Sequence, residues 1–137
     1  MIETTINLAK NFRRNTTIAL KALGDSKFLK GSQYILLIKA IKRIESEIKD
    51  FEDAQEMLIK SHCKKNEEGF PIIANNGTTE IINMTEYTKK FNELKDSLPD
   101  FIVYLPVLNE NDIDKLDLET DFIVTFMELE MIQPQNG

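Results

Sequence analysis

The chain has little soft-ligand or nucleophilic chemistry to work with. Its single cysteine among 137 residues cannot form an internal disulfide, and such usage fits a reducing compartment. The one histidine, His62, stands beside that cysteine, Cys63. A zinc site takes about four ligands, so this pair cannot build one alone. Neighbours on a helix also point about 100° apart, which keeps them from meeting as a catalytic couple. The expectation is a surface His62 and a half-buried Cys63 without a chemical role. The five glycines stand singly, with no Gly-x-Gly and no Gly-Lys-Ser/Thr, which excludes the usual backbone cradles for nucleotide phosphates.

Glycine is also missing between Gly77 and Gly137. The acidic run Glu110, Asp112, Asp114, Asp117, Glu119 and Asp121 therefore lacks the sharp turn of a calcium loop. It reads as a solvated acidic connector. Nothing marks two of the many carboxylates as a buried acid–base pair. The longest apolar cluster, Tyr34 to Ile38, is far too short to span a bilayer. Met1-Ile2-Glu3-Thr4-Thr5 lacks the basic start and apolar run of an export signal. The expectation is no membrane span, no secretion, no cofactor, no metal and no enzymatic activity. On that footing the sequons at Asn15, Asn76 and Asn83 read as chance matches.

What is present is a globular composition, 42% hydrophobic and 29% charged, at the usual size of one domain. A net charge of −6 argues against generic binding to a phosphate backbone. The front cluster Lys10, Arg13, Arg14 and Lys21 is outweighed by that total, and no aromatic-studded basic sheet accompanies it. Residues 1–30 hold six basic and two acidic side chains, whereas residues 108–137 hold one and eight. Such a basic front and acidic tail can attract each other within the chain, or dock copies head to tail in an assembly.

Periodicity predicts a first helix from about Thr5 to Leu23, with Leu8, Phe12, Ala19 and Leu23 on one face and Gly24 as its left-handed cap. Phe28 and Leu29 in the following linker read as an apolar plug. From a Ser32 cap, Tyr34, Leu37, Ile41, Ile44, Ile48, Phe51 and Leu58 recur at steps of three and four, interrupted at Gln55. That is a heptad-like seam on a helix of roughly 30 residues. Two β-prone runs around Asn76-Gly77 predict a hairpin that pairs Ile72 with Ile81, or a slightly longer loop. A third helix is expected over Thr85–Leu98, capped by Thr85 and stopped by Pro99. Phe101 to Leu105 reads as a buried strand ending at Pro106. The segment Phe122–Met127 is ambiguous, with a helix from Glu119 to Met131 favoured over a strand. Gln133 to Gly137 reads as a tail. Met57, Met84, Met127 and Met131 read as core filler. No internal repeat is visible.

Several of these segments occur in a familiar order. They are Leu20-Lys21-Ala22-Leu23 before a short linker, Tyr34 opening a long helix, Ile44-Glu45-Ser46-Glu47, Leu58-Ile59-Lys60 and Glu68-Gly69. Asn111-Asp112-Ile113 and an apolar close at Phe122–Met127 complete the order. In this the chain resembles a group of small tailed-bacteriophage proteins that share a domain of unknown function (DUF1617-like). The resemblance implies a viral origin and a non-enzymatic accessory or assembly role, in the host cytoplasm during infection or in the virion. It carries over no site residues.

The sequence thus predicts one α+β domain, 1–137. Residues 1–65 form a long helical hairpin; residues 66–137 form a β-hairpin, a helix, a strand and a C-terminal helix around a small antiparallel sheet. The expected function is protein–protein interaction or self-association through Tyr34, Leu37, Ile41, Phe51 and Leu58. The alternative is a viral factor that inhibits a host protein through its acidic C-terminal half.

Overall fold

Four of the five residues Ile2-Glu3-Thr4-Thr5-Ile6 are β-branched, which suits the segment to a strand, and it forms the first element, β1 (Ile2–Ile6). The computed structural model describes residues 1–12 and 15–134. Strand β1 pairs antiparallel with β2 (Phe101–Leu105), setting Ile2 opposite Leu105, Thr4 opposite Val103 and Ile6 opposite Phe101. Helix formation is blocked after Ile6 by Asn7. Its carbonyl accepts from the amides of Lys10, Asn11 and Phe12, and its side-chain oxygen accepts from the amide of Ala9. This is the local side-chain competition by which Asn favours turns over helices. The expected helix from Thr5 is therefore replaced by a strand, a turn, and a shorter α1 (Thr16–Asp25).

Gly24 is not the cap of that helix. It lies inside α1, where a Cβ would sit 3.2 Å from Leu37 Cδ2, so its role is close approach. The left-handed position falls to Lys27, at φ 61°. The expected plug is real at Leu29, which is 2% exposed. Helix α2 (Ser32–His62) runs for 31 residues, as the seam predicts. Helix α3 (Met84–Asp96) starts one residue before the expected Thr85. Its cap is Asn83, whose side chain accepts from the Glu86 amide, the usual N-cap geometry.

Contacts divide the chain inside α2 rather than at its end. One compact unit comprises Met1–Glu47 and Pro99–Gly137; the other is Ile48–Leu98. In the first unit, the inward faces of β1 and β2 join Leu20 and Leu23 of α1, and Leu37 and Ile44 of α2, in the buried set. Strand β2 is buried on one face only, since Ile102 and Tyr104 are 44% and 46% exposed. A 3-10 turn occupies Glu110–Lys115 within the acidic connector. Helix α4 (Thr120–Glu128) follows, which resolves the ambiguous segment as helix. It packs on α1 and inserts Phe126 into the core. Beyond it, β4 (Ile132–Gln133) pairs in parallel with β3 (Leu108–Asn109). Gln133 is thus paired, while residues 135–137 of the expected tail lie outside the described residues.

The second unit contains a small closed ring. Segments 63–65, 71–73 and 79–81 each pair antiparallel with the other two, through Cys63–Ile81, Lys65–Pro71 and Ile73–Thr79. The amide of Lys64 donates to the carbonyl of Glu80, Glu80 to Ile72, and Ile72 back to Lys64, each at 2.9 Å. Closure leaves no free strand edge among the three. The two connecting loops are alike: the Asn66 amide donates to Phe70 and the Ala74 amide to Thr78, with Gly69 and Gly77 at φ 86° and 84°. The longer loop shifts the hairpin register. Ile73 faces Thr79, not Glu80, because a turn followed by a left-handed glycine is a favoured three-residue hairpin loop.

Candidate functional site

The five residues of the predicted partner surface follow one seam of α2 but fall in two compact units and differ in burial. Leu37 is 2% exposed and belongs to the core of the first unit, where it packs under Gly24. Tyr34 and Ile41 are half-buried in that same unit. Phe51 and Leu58 lie in the second unit. Phe51 packs on Phe91 of α3, with ring centroids 6.0 Å apart, and Phe91 stacks in turn on Tyr87 at 6.1 Å. Leu58 lines a shallow groove of about 570 Å³ between α2 and α3, with Ala54, Ser61, Leu94 and Ser97 among its walls. The seam divides because a helix passing from one compact unit to another meets different neighbours along its length.

Met57 stands at the rim of this groove and is 72% exposed. The core-filler reading holds for Met131, which is fully buried, and fails for Met57, Met84 and Met127, which are 59–72% exposed. Composition alone cannot separate these cases. Position on the helix can: Ala54, Met57, Leu58 and Ser61 recur at i, i+3, i+4 and i+7, a stripe of small and apolar residues. The flanks of the stripe are charged. Lys49 pairs with Asp53 at 3.0 Å and Lys60 with Glu56 at 3.1 Å. The hydrogen bond from Lys49 to Asp53 raises the ammonium pKa above its ordinary value.

His62 and Cys63 are each more buried than expected. Cys63 is 2% exposed, with its thiol 3.5 Å from the Lys60 carbonyl. His62 is half-buried; its Nδ1 lies 3.0 Å from the Leu58 carbonyl and its Nε2 4.0 Å from Glu86. Both act as packing and capping groups at the end of α2. Cys63→Ser is expected to fold and to lose about 1–2 kcal/mol in urea unfolding, since the hydroxyl inherits the Lys60 acceptor in an apolar setting. A total loss of the unfolding transition would assign the thiol a larger role.

Two further depressions lie in the first unit. One, of about 340 Å³, is lined by Glu3, Thr5, Asn11, Thr16, Thr125 and Glu130, a polar set without a nucleophile–base couple. The other, of about 310 Å³, lies between Leu36, Lys39 and Arg43 of α2 and Ile102 and Tyr104 of β2. Of the basic front cluster, Lys21 pairs with Glu45 at 3.4 Å, Lys10 is exposed, and Arg13 and Arg14 lie outside the described residues. No group of three or more acidic, His or Cys side chains among the described residues is placed to hold a metal ion. No helix among them is long and apolar enough to cross a membrane. Comparison of the chain with family models, with curated proteins and with solved structures gives no match.

Proposed function

We propose that this chain is a small, non-enzymatic phage protein that works by binding another protein, as a virion or assembly component or as an accessory factor. The observation that carries the binding reading is the thin core of the second unit. Between Ile48 and Leu98 only Cys63 is fully buried, while Met57, Phe70, Ile73, Ile82 and Met84 are each more than half exposed. Apolar side chains left in water to that extent are unfavourable, and a bound protein would cover them. The phage context rests on the resemblance of the segments from Leu20 to Met127, and with it the location in infected host cytoplasm or in the virion.

A second reading is favoured by the exposed carboxylates of Glu110, Asp114, Asp117, Glu119 and Asp121, which give the C-terminal third a face suited to a basic host protein. Recovery of the tagged chain from infected cells, beside Met57→Lys, separates the two. The expected result is a co-purifying protein, present in virions by mass spectrometry, that Met57→Lys loses. A partner kept by Met57→Lys but lost when Asp114, Asp117 and Asp121 are changed to Asn would install the second reading. Identical recoveries from all forms would overturn both.

A further inference from the structure

We propose that the open face of the second unit is a homodimer interface, in which two copies pack antiparallel about a twofold axis near Met57. The inference rests on the protein-binding reading of that face and names its occupant. Two properties of the face point to a second copy of the chain rather than to an unrelated partner.

The first is shape. Met57, 72% exposed, is a flexible apolar knob at the rim of a groove lined by Ala54, Leu58, Leu94 and the small Ser61 and Ser97, with the Lys90–Glu93 pair of α3 at its edge. A twofold interface requires one patch to be complementary to itself, because each residue meets the surroundings of its counterpart. This patch holds both a knob and the small-residue hollow to receive it.

The second is charge. From Asp50 to Glu56, α2 carries Asp50, Glu52, Asp53 and Glu56 and no base; from Met57 to Lys65 the chain carries Lys60, Lys64 and Lys65 and no acid. Antiparallel pairing of α2 about Met57 sets Asp53 beside Ser61 and Lys60, and brings Asp50 toward the end of the partner helix, after which Lys64 and Lys65 follow. Parallel pairing would set acid on acid and base on base, which disfavours that orientation. The pairs Lys49–Asp53 and Glu56–Lys60 do not compete strongly, because all four side chains are 57–73% exposed and exposed pairs contribute little.

The face is modest in size. The stretch Asp50–Ser61 is about 18 Å long, and two helices side by side are roughly 20 Å wide. That is below the roughly 800 Å² a side of a standard stable interface, so the dimer is expected to be of micromolar strength.

Sedimentation equilibrium of the full chain, over roughly 1–200 μM to bracket such an affinity, tests this. The expected result is a reversible monomer–dimer equilibrium. Met57→Lys should raise the dissociation constant at least tenfold with an unchanged circular dichroism spectrum, since the side chain is exposed. Asp50→Lys with Asp53→Lys in one protein, and Lys60→Glu with Lys64→Glu in another, should each dimerise at least tenfold more weakly alone. Their equimolar mixture should recover the wild-type strength. A wild-type monomer throughout the range would overturn the second copy as occupant, as would a dimer indifferent to Met57→Lys or to both charge exchanges. A wild-type monomer whose Met57-dependent partner is still recovered from infected cells would leave the protein-binding reading standing. A monomer with no such partner would end both.

Discussion

Ile44→Asp is expected to abolish cooperative folding of the first unit, whereas Leu58→Asp on the same helix is expected to leave a folded protein. Ile44 is fully buried, among a core that includes Leu20, Leu23 and Leu37. An aspartate there would be an uncompensated buried charge, costing several kcal/mol. Domains of this size have about 5–15 kcal/mol in total. Leu58 is half-buried beside an open groove, where a carboxylate can reach water. Its replacement removes only part of a leucine's burial, about 1–2 kcal/mol. Urea unfolding monitored by circular dichroism separates the two. If Leu58→Asp unfolds the protein as thoroughly as Ile44→Asp, the groove is core and the proposed interface is lost with it.

Phe126→Ala is the second large effect. Phe126 is among the largest fully buried side chains, and its carbonyl accepts from the Met131 amide at the turn into β4. Deleting a buried ring costs about 3–5 kcal/mol, as lost transfer free energy plus the cavity left behind. For a chain of this length the melting temperature should fall by roughly 10–20 °C. Phe70→Ala serves as the control. Phe70 is 61% exposed, and substitutions at such positions usually lie within about 0.5 kcal/mol of wild type. Scanning calorimetry giving equal shifts for the two variants would contradict the placement of α4 against α1.

The helical content was legible where periodicity was long and uninterrupted. Residues 32–65 contain no proline and no glycine before the ring, and α2 occupies nearly all of them. Strand β2 was legible from Phe101-Ile102-Val103-Tyr104-Leu105, and α3 from Tyr87, Phe91 and Leu94 ahead of Pro99. Strand β1 was not, because five residues beginning at Ile2 satisfy either period, and the choice is made by β2 about a hundred positions away. The two-residue strands β3 and β4 were equally hidden, since each exists only by pairing with the other. The ring at 63–81 repeats its backbone every eight residues, yet only Gly69 with Gly77 and Ile73 with Ile81 are identical at that spacing. Its pattern lies in the hydrogen bonds, which any non-proline residue can supply.

Sequence by itself determined the α+β class, the long helix, the turn at Asn76-Gly77, and a charge pattern that runs from acid at Asp50–Glu56 to base at Lys60–Lys65. These are properties of neighbours along the chain: side-chain period, glycine at positive φ, and residue charge. Only tertiary structure decided which half of the α2 seam is core. Leu37 and Ile44 meet other elements that cover them, whereas Phe51 and Leu58 meet a partial cover, and the period is the same in both halves. Burial depends on what arrives from elsewhere in the chain. It was therefore the packing that set Met131 inside and Met57 in water.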